Sequence, residues 1–411
     1  MELLLYIDPG TGSMLFTIII GMVGALVYLF RVGVMKIKMI LSKDKAAKIN
    51  ENKLPLVIFS DHKRYWTTFE PICDELEKRE QITYFYTMSE DDPALKKDYK
   101  YIKCEFIGSG NTGFSRMNLL NAKIVFATTP NLDVYQWRRS KQVDYYVHIP
   151  HAPGKITMYR MFALNFYDAV MYSDDHQKMD MDKLFDGKAF CPKEFIKVGI
   201  PYMDEMYKRI QANPPATSNG KKTVLLAPSW GPSAILSVHG EKIIDALLKT
   251  DYNIIIRPHP QSFSAEKELM DKFMAKYPES DKLSWNRDND NFDVLNRSDI
   301  LISDFSAVMY DFALVFNKPI IYASSQFDPA VYDQYFLDEE PWVIQILPQL
   351  GPALDEAQFD NIGSIIDEYI NDVKYRENRE KVIEEMWPNI GTSSQVIAEY
   401  LINKLKELSD K

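Results

Sequence analysis

The stretch that most constrains the fold is residues 298–323, SDILISDFSAVMYDFALVFNKPIIYA. It reads as strand, tight loop, helix, strand. Ile300–Ser303 is a short apolar run bounded by Asp299 and Asp304, the pattern of a parallel strand buried on both faces. Asp304-Phe305-Ser306-Ala307 then changes the period, and Val308, Phe312 and Val315 recur at helical spacing. Asn317-Lys318-Pro319 ends the helix, and Ile320–Ala323 starts the next strand. A helix that opens just past a strand's carboxyl end points free N–H groups at the mouth of the sheet, where a phosphate or another anion is favoured. Ser306 lies where a hydroxyl either caps such a helix or adds a donor to an anion site.

The same alternation runs through the chain. Residues 56–60, 83–86, 103–107, 124–127, 145–149, 169–172 and 195–198 are short apolar strands, with helical patterns at 66–79 and 174–185. Residues 211–222, QANPPATSNGKK, have the composition of a linker. A second series follows, with strands at 223–227 and 252–256 and helices at 241–248, 264–277, 356–386 and 393–408. Residues 325–342, rich in Asp, Tyr and Phe, read as a long active-site loop. Alternation of this kind predicts parallel sheets covered by helices. The expected domains are an N-terminal α/β domain at 55–212 and a C-terminal one at 222–411, the latter carrying the last helices.

A chain of 411 residues has room for two or three domains. Apolar residues at 46% and charged residues at 26% fit a globular protein with a large core. A formal net charge of -10, with no long basic run beyond the start, argues against a nucleic-acid partner. The cysteines, Cys73, Cys104 and Cys191, lie far apart with no metal-ligand spacing. So sparse and odd a set fits a reducing compartment.

Residues 9–30 carry no charge, and their apolar core, MLFTIIIGMVGALVYLF, spans 14–30. Continued through Val34 it reaches about 20 residues, the length that crosses a bilayer. Arg31, Lys36, Lys38, Lys43, Lys45 and Lys48 follow it, whereas Glu2 and Asp8 precede it. The positive-inside rule puts the carboxyl side in the cytoplasm. The expectation is one transmembrane helix within 1–35, anchoring the chain in the inner (cytoplasmic) membrane, then a basic linker at 36–54 able to lie on anionic headgroups. An uncleaved signal sequence and a helix lying in the interface are the alternatives.

Four further stretches carry polar groups at predicted strand ends, where open α/β sheets bind ligands. His62-Lys63-Arg64 follows the first strand and is either an acceptor site or a solvated loop. Residues 144–155, DYYVHIPHAPGK, bring His148, His151 and Lys155 past another strand, with two prolines forcing an extended loop. An unperturbed imidazole there can take a proton from a hydroxyl at neutral pH. Pro228-Ser229-Trp230 follows the strand at 223–227. Arg257-Pro258-His259-Pro260 sets an Arg fork and an imidazole two residues apart, which suits a pyrophosphate and also a rigid Pro-flanked turn.

Taken in order, these motifs resemble the CDP-glycerol glycerophosphotransferase family, which builds teichoic acids and related polyol-phosphate polymers. Asp304, Phe305, Ser306, Val308, Asp311, Phe312 and Lys318-Pro319 match its signature, with Ala307 where a second Ser is usual. Arg257 and His259 match its R-x-H-P element, and Gly199-Ile-Pro201-Tyr-Met-Asp204 its G-x-P-x-x-D element. Pro228-Ser229-Trp230 is similar to A-P-(T/S)-W, with Gly231 where Arg often follows. His151 with Pro153 and Lys155 is the best match to the family's histidine loop. That loop is one residue shorter here and lacks Trp-Gly, so His148 stays a second candidate. The resemblance covers roughly residues 145–325.

It implies a GT-B-like α/β architecture, two doubly wound Rossmann-type domains facing a cleft. It implies a transferase that moves a phosphopolyol, glycerol phosphate first, from a CDP-activated donor to a hydroxyl acceptor of an envelope polymer or lipid-linked primer, releasing CMP. His151 and His259 become the catalytic candidates. Arg257, Ser306 and Asp304 become the donor-phosphate group, with Asp304 more a shaper of its loop. His148, Lys155 and His62 are acceptor or secondary candidates. CDP-glycerol is the expected donor, with no obligatory cofactor or metal. The alternatives are a GT-B glycosyltransferase using a nucleotide sugar, and a catalytically inactive scaffold of an envelope-polymer pathway.

Overall fold

Seven short runs of the first half pair side by side, and the central ones are buried on both faces, which favours a parallel sheet with helices on either side. The computed structural model describes residues 53–151, 159–187, 189–190, 192–214, 220–288, 290–323 and 342–410, together with Met22. In the first sheet the strands are β1 (Leu54–Ser60), β2 (Thr83–Thr87), β3 (Ile102–Phe106), β4 (Ala122–Ala127), β5 (Val143–His148), β6 (Ala169–Tyr172) and β7 (Glu194–Lys197). Their order is β3-β2-β1-β4-β5-β6-β7, all parallel. Period-two alternation divides β1 between two cores. Leu56 and Ile58 enter one, Val57 and Phe59 the other.

The second sheet contains β8 (Thr223–Leu226), β9 (Asn253–Ile256), β10 (Leu283–Trp285), β11 (Ile300–Ser303), β12 (Ile320–Ala323) and β13 (Ala353–Leu354). Its order, β10-β9-β8-β11-β12-β13, repeats the 3-2-1-4-5-6 pattern of the doubly wound fold. In such sheets the chain reverses its direction of winding beside the first strand, and the crevice there takes the ligand. That point falls between β1 and β4 in the first sheet and between β8 and β11 in the second.

Two helices exchange sides. Pro201–Ala212 follows the first sheet, yet Met203 and Met206 pack into the core beneath the second. The last helix, Ser393–Ser409, returns to the first sheet, where Ile397, Ala398, Leu401 and Leu405 pack with Leu56, Phe69 and Val147. The terminal helix thus packs on the first lobe although it follows the second in the chain. The carboxylate of Asp204, fully buried, fixes the crossing. It accepts hydrogen bonds from Trp387 Nε1 at 2.8 Å, Gly391 N at 2.8 Å and Ser393 N at 2.7 Å.

Other departures have local causes. The helix expected at 264–277 is broken at Glu266, whose carboxylate accepts from Gly231 N at 3.1 Å and the Ser237 hydroxyl at 3.0 Å. The helical pattern at 356–386 divides into Ile362–Tyr369 and Val373–Met386, where Asp372 caps the second piece through Tyr375 N at 2.8 Å. The helix after β11 is one short turn, Val308–Tyr310, continued as a π-helical turn, Asp311–Val315. Among the described residues no helix is long and apolar enough to cross a membrane. The membrane-anchor expectation, the basic linker before Lys53 and the loop at 325–341 fall outside the described residues.

Candidate active site

At the mouth of the first sheet, β1, β4 and β5 end together. Phe59 pairs with Ala127, and Ala127 with His148. The residues just past these pairs therefore gather at the β1/β4 crevice. His151 is half-buried there. Its Nδ1 lies 3.4 Å from the Thr128 hydroxyl, and its ring lies 4.8 Å from that of Tyr65. His148 sits behind it, fully buried, with its ring 5.7 Å from Tyr159 and 4.9 Å from Tyr167. Burial, aided by His151, pushes the His148 imidazole down to about 3, so it is neutral at physiological pH. Of the two candidate bases, His151 has the access a substrate needs and His148 does not.

His62 is exposed, and its Nδ1 accepts from Arg64 N at 3.1 Å, capping the turn Lys63–Tyr65. Partial burial and the neighbouring Arg64 lower its pKa. Its local role is that cap. Lys155 lies outside the described residues. Sequence reasoning missed Asp61, Tyr65, Thr128 and Thr129, which reach the crevice only because β4 is laid beside β1.

At the mouth of the second sheet, β9 delivers Arg257 and His259. Arg257 is 9% exposed, and its guanidinium donates to Asn286 Oδ1. Burial lowers its pKa, while Asp288 and Asp290 oppose that shift. His259 Nδ1 accepts from Gln261 N at 3.1 Å, and its ring lies 6.4 Å from that of Trp230 at an interplanar angle of 30°. Trp230 is exposed, and Gly231 beside it has φ +96°, a left-handed turn that glycine accepts without strain.

The signature stretch divides into two kinds of residue. Asp304 is buried, and its carboxylate accepts from Ser229 N at 2.9 Å, Ile235 N at 2.9 Å and Phe305 N at 2.7 Å. Burial raises its pKa and these bonds oppose the shift. Its oxygens are thus engaged in pinning the loop after β8 to the end of β11. Asp311 accepts from the Tyr202 hydroxyl of the crossing helix and from Asn291 Nδ2 at 3.3 Å. Lys318 Nζ donates to the carbonyls of Leu295, Asn296 and Ser298 at 3.0, 2.6 and 2.7 Å, closing the helix Phe292–Arg297. These are struts. Ser306 is different. It is 8% exposed and stands one residue before Ala307, the N-cap of the short turn. Among the described residues no group of His, Cys, Asp or Glu is arranged to hold a metal ion.

Fold and site define a GT-B-like α/β protein with imidazoles at the carboxyl ends of both sheets and an Arg fork beside one of them. The chain belongs to the CDP-glycerol:poly(glycerophosphate) glycerophosphotransferase family, whose model matches residues 48–339. It is 26% identical over 230 residues to the teichoic acid glycerol-phosphate primase of Bacillus subtilis (strain 168), covering 53% of this chain and 54% of the relative. It is 28% identical over 167 residues to the same-named protein of Bacillus spizizenii, covering 38% and 40%. The chain spans about half the length of the relatives it matches. Among solved structures, the wall teichoic acid polymerase TagF superposes with a TM-score of 0.60 at 17% identity, covering 94% of this chain and 99% of that one. The S. aureus MnaA–UDP co-structure gives 0.58 at 13% identity, covering 85% and 97%. Both show likeness of fold.

Proposed function

We propose that this chain transfers a phosphopolyol, glycerol phosphate first, from CDP-glycerol to a hydroxyl acceptor of an envelope polymer or lipid-linked primer, releasing CMP. The observation that carries this reading is the placement of Arg257 and His259 at the carboxyl end of β9 in a chain of this family. His151 takes the proton of the acceptor hydroxyl. The acceptor oxygen forms a bond to the β-phosphorus, and the bond from that phosphorus to the bridging oxygen breaks. CMP leaves with the electron pair. Arg257, His259 and Ser306 hold the diphosphate and balance the charge that develops.

The test is the nucleotide product. Full-length protein is incubated with CDP-glycerol, CDP-ribitol and common nucleotide sugars, with membrane lipid as acceptor, and the released nucleotide is identified by chromatography. CMP is expected. His151→Ala and His259→Ala should each lower its release by about 100-fold or more. Near-full turnover by both variants overturns the reading, and release of a nucleoside diphosphate replaces it with sugar transfer. The uncharged run at 9–30 and the basic flank after it support a second element of the proposal: a single anchor in the cytoplasmic membrane, with the transferase lobes on the cytoplasmic side.

A further inference from the structure

Arg257 follows β9, and Asn286 follows β10, the edge strand beside it. Trp285 pairs with Ile256, so the register sets Asn286 opposite Arg257. The backbone closes the pair, with Asn286 N donating to the Ile256 carbonyl at 2.8 Å. Asn286 is 6% exposed, and its Oδ1 accepts from Arg257 Nη1. Its Nδ2 donates to the carboxylate of Asp288, an exposed residue, at 2.7 Å. These two bonds fix which way the amide faces. Turned over, it would set N–H against the guanidinium and oxygen against the carboxylate. Among the described residues the bond to Asn286 is the guanidinium's only hydrogen bond, while Asp288 and Asp290 act on it through charge. On the other side of β9 lie β8 and β11, with the winding reversal between them. Asn286 thus holds Arg257 from the side away from the crevice that receives a ligand in such a sheet.

An arginine left to itself samples many rotamers, and gripping an anion must freeze them. Its planar fork meets phosphate oxygens well in only a few orientations. A bond to a buried neighbour that is itself pinned sets the plane of the fork before the ligand arrives. The kind of neighbour matters as much as its place. A carboxylate at 286 would draw the guanidinium into an ion pair and neutralise the charge that a diphosphate needs. A neutral amide accepts one N–H and leaves the charge in place. We propose that Asn286, oriented by Asp288, is a positioning residue that presents Arg257 to the diphosphate of the donor. The role rests on the transferase reading of Arg257 and adds to it the residue that sets the fork.

The full chain is titrated calorimetrically with CDP and with UDP, as wild type, Arg257→Ala, Asn286→Ala and the double variant. Urea unfolding reports whether each is folded. Asn286→Ala should weaken CDP binding by about tenfold, the loss expected for one such hydrogen bond. The double variant should bind CDP no more weakly than Arg257→Ala alone, because Asn286 acts through that guanidinium. Additive losses, or unchanged CDP binding by Asn286→Ala, overturn the role and leave the transferase reading standing. If Asn286→Ala does not fold, or Arg257→Ala binds too weakly to measure, Asp288 carries the test. Asp288→Ala and Asp288→Asn remove the same charge from an exposed position, and only the second keeps a carbonyl that accepts from Asn286. Asp288→Ala should bind CDP about threefold more weakly than Asp288→Asn, and equal affinity overturns the role. UDP bound in place of CDP, with the same non-additive cycle, keeps the role and overturns the CDP-glycerol reading. A folded wild type that binds neither overturns both.

Discussion

His148 shows how position decides what a residue does. As the last residue of β5 it is carried into the core, where burial holds its imidazole neutral. Its pKa is about 3 in the folded chain, against an ordinary value of 6.5. Between those limits the unfolded chain binds a proton that the folded chain refuses. Stability contributed by this residue is therefore complete above pH 6.5 and falls as the pH drops toward 3. From pH 7 to pH 5 the loss is about 2 kcal/mol. His148→Phe, which keeps a flat ring between Tyr159 and Tyr167, should remove this slope. Urea unfolding at the two pH values checks it, and an unchanged slope shows that His148 already titrates normally in the fold. His151, three residues on, is half-buried. The sequence put His151 ahead of His148 only by its match to the family's histidine loop, since solvent access depends on the strands packed around β5.

Elements are held together here by buried carboxylates that read like site residues in the sequence. Asp304, Asp311 and Asp204 all stand in family motifs, and each accepts hydrogen bonds from a distant segment. Asp204→Ala leaves the Trp387 indole N–H and the backbone N–H groups of Gly391 and Ser393 without their acceptor. The expected cost is roughly 3 kcal/mol, from the penalty of unpaired buried donors. It should be read in chemical unfolding together with faster hydrogen exchange in the helix Ser393–Ser409. Unchanged exchange there means that hydrophobic packing alone holds the crossing. Strand positions were legible to within a residue or two wherever the run was apolar on both faces, as at β6, β11 and β12. β10 and β13 were not, because Leu283–Trp285 and Ala353–Leu354 are too short to show a period. The break at Glu266 was hidden for another reason. Its cause is a pair of hydrogen bonds from residues 231 and 237, far back in the chain.

The whole molecule carries one expectation that sequence alone supports. If residues 1–35 anchor the chain, deleting them should move the protein from the membrane pellet to the supernatant in high salt, with CMP release toward a soluble poly(glycerophosphate) oligomer kept. A reporter fused after Lys411 should report the cytoplasmic side. Sedimentation unchanged by the deletion removes the anchor from the proposal.

What the sequence determined by itself was local and chemical. Apolar runs bounded by loops dictated strands, and the motif order dictated the family and the pairing of Arg257 with His259. These follow from short-range periodicity and from residue types, both printed in the chain. Tertiary structure decided the strand order, and with it the crevice that gathers Asp61, Thr129, His148 and His151 from β1, β4 and β5. It also decided that the last helix packs on the first lobe, and that Asp304 is a strut. Each of these depends on which segments meet across long stretches of chain, a matter of burial and register that no local pattern records.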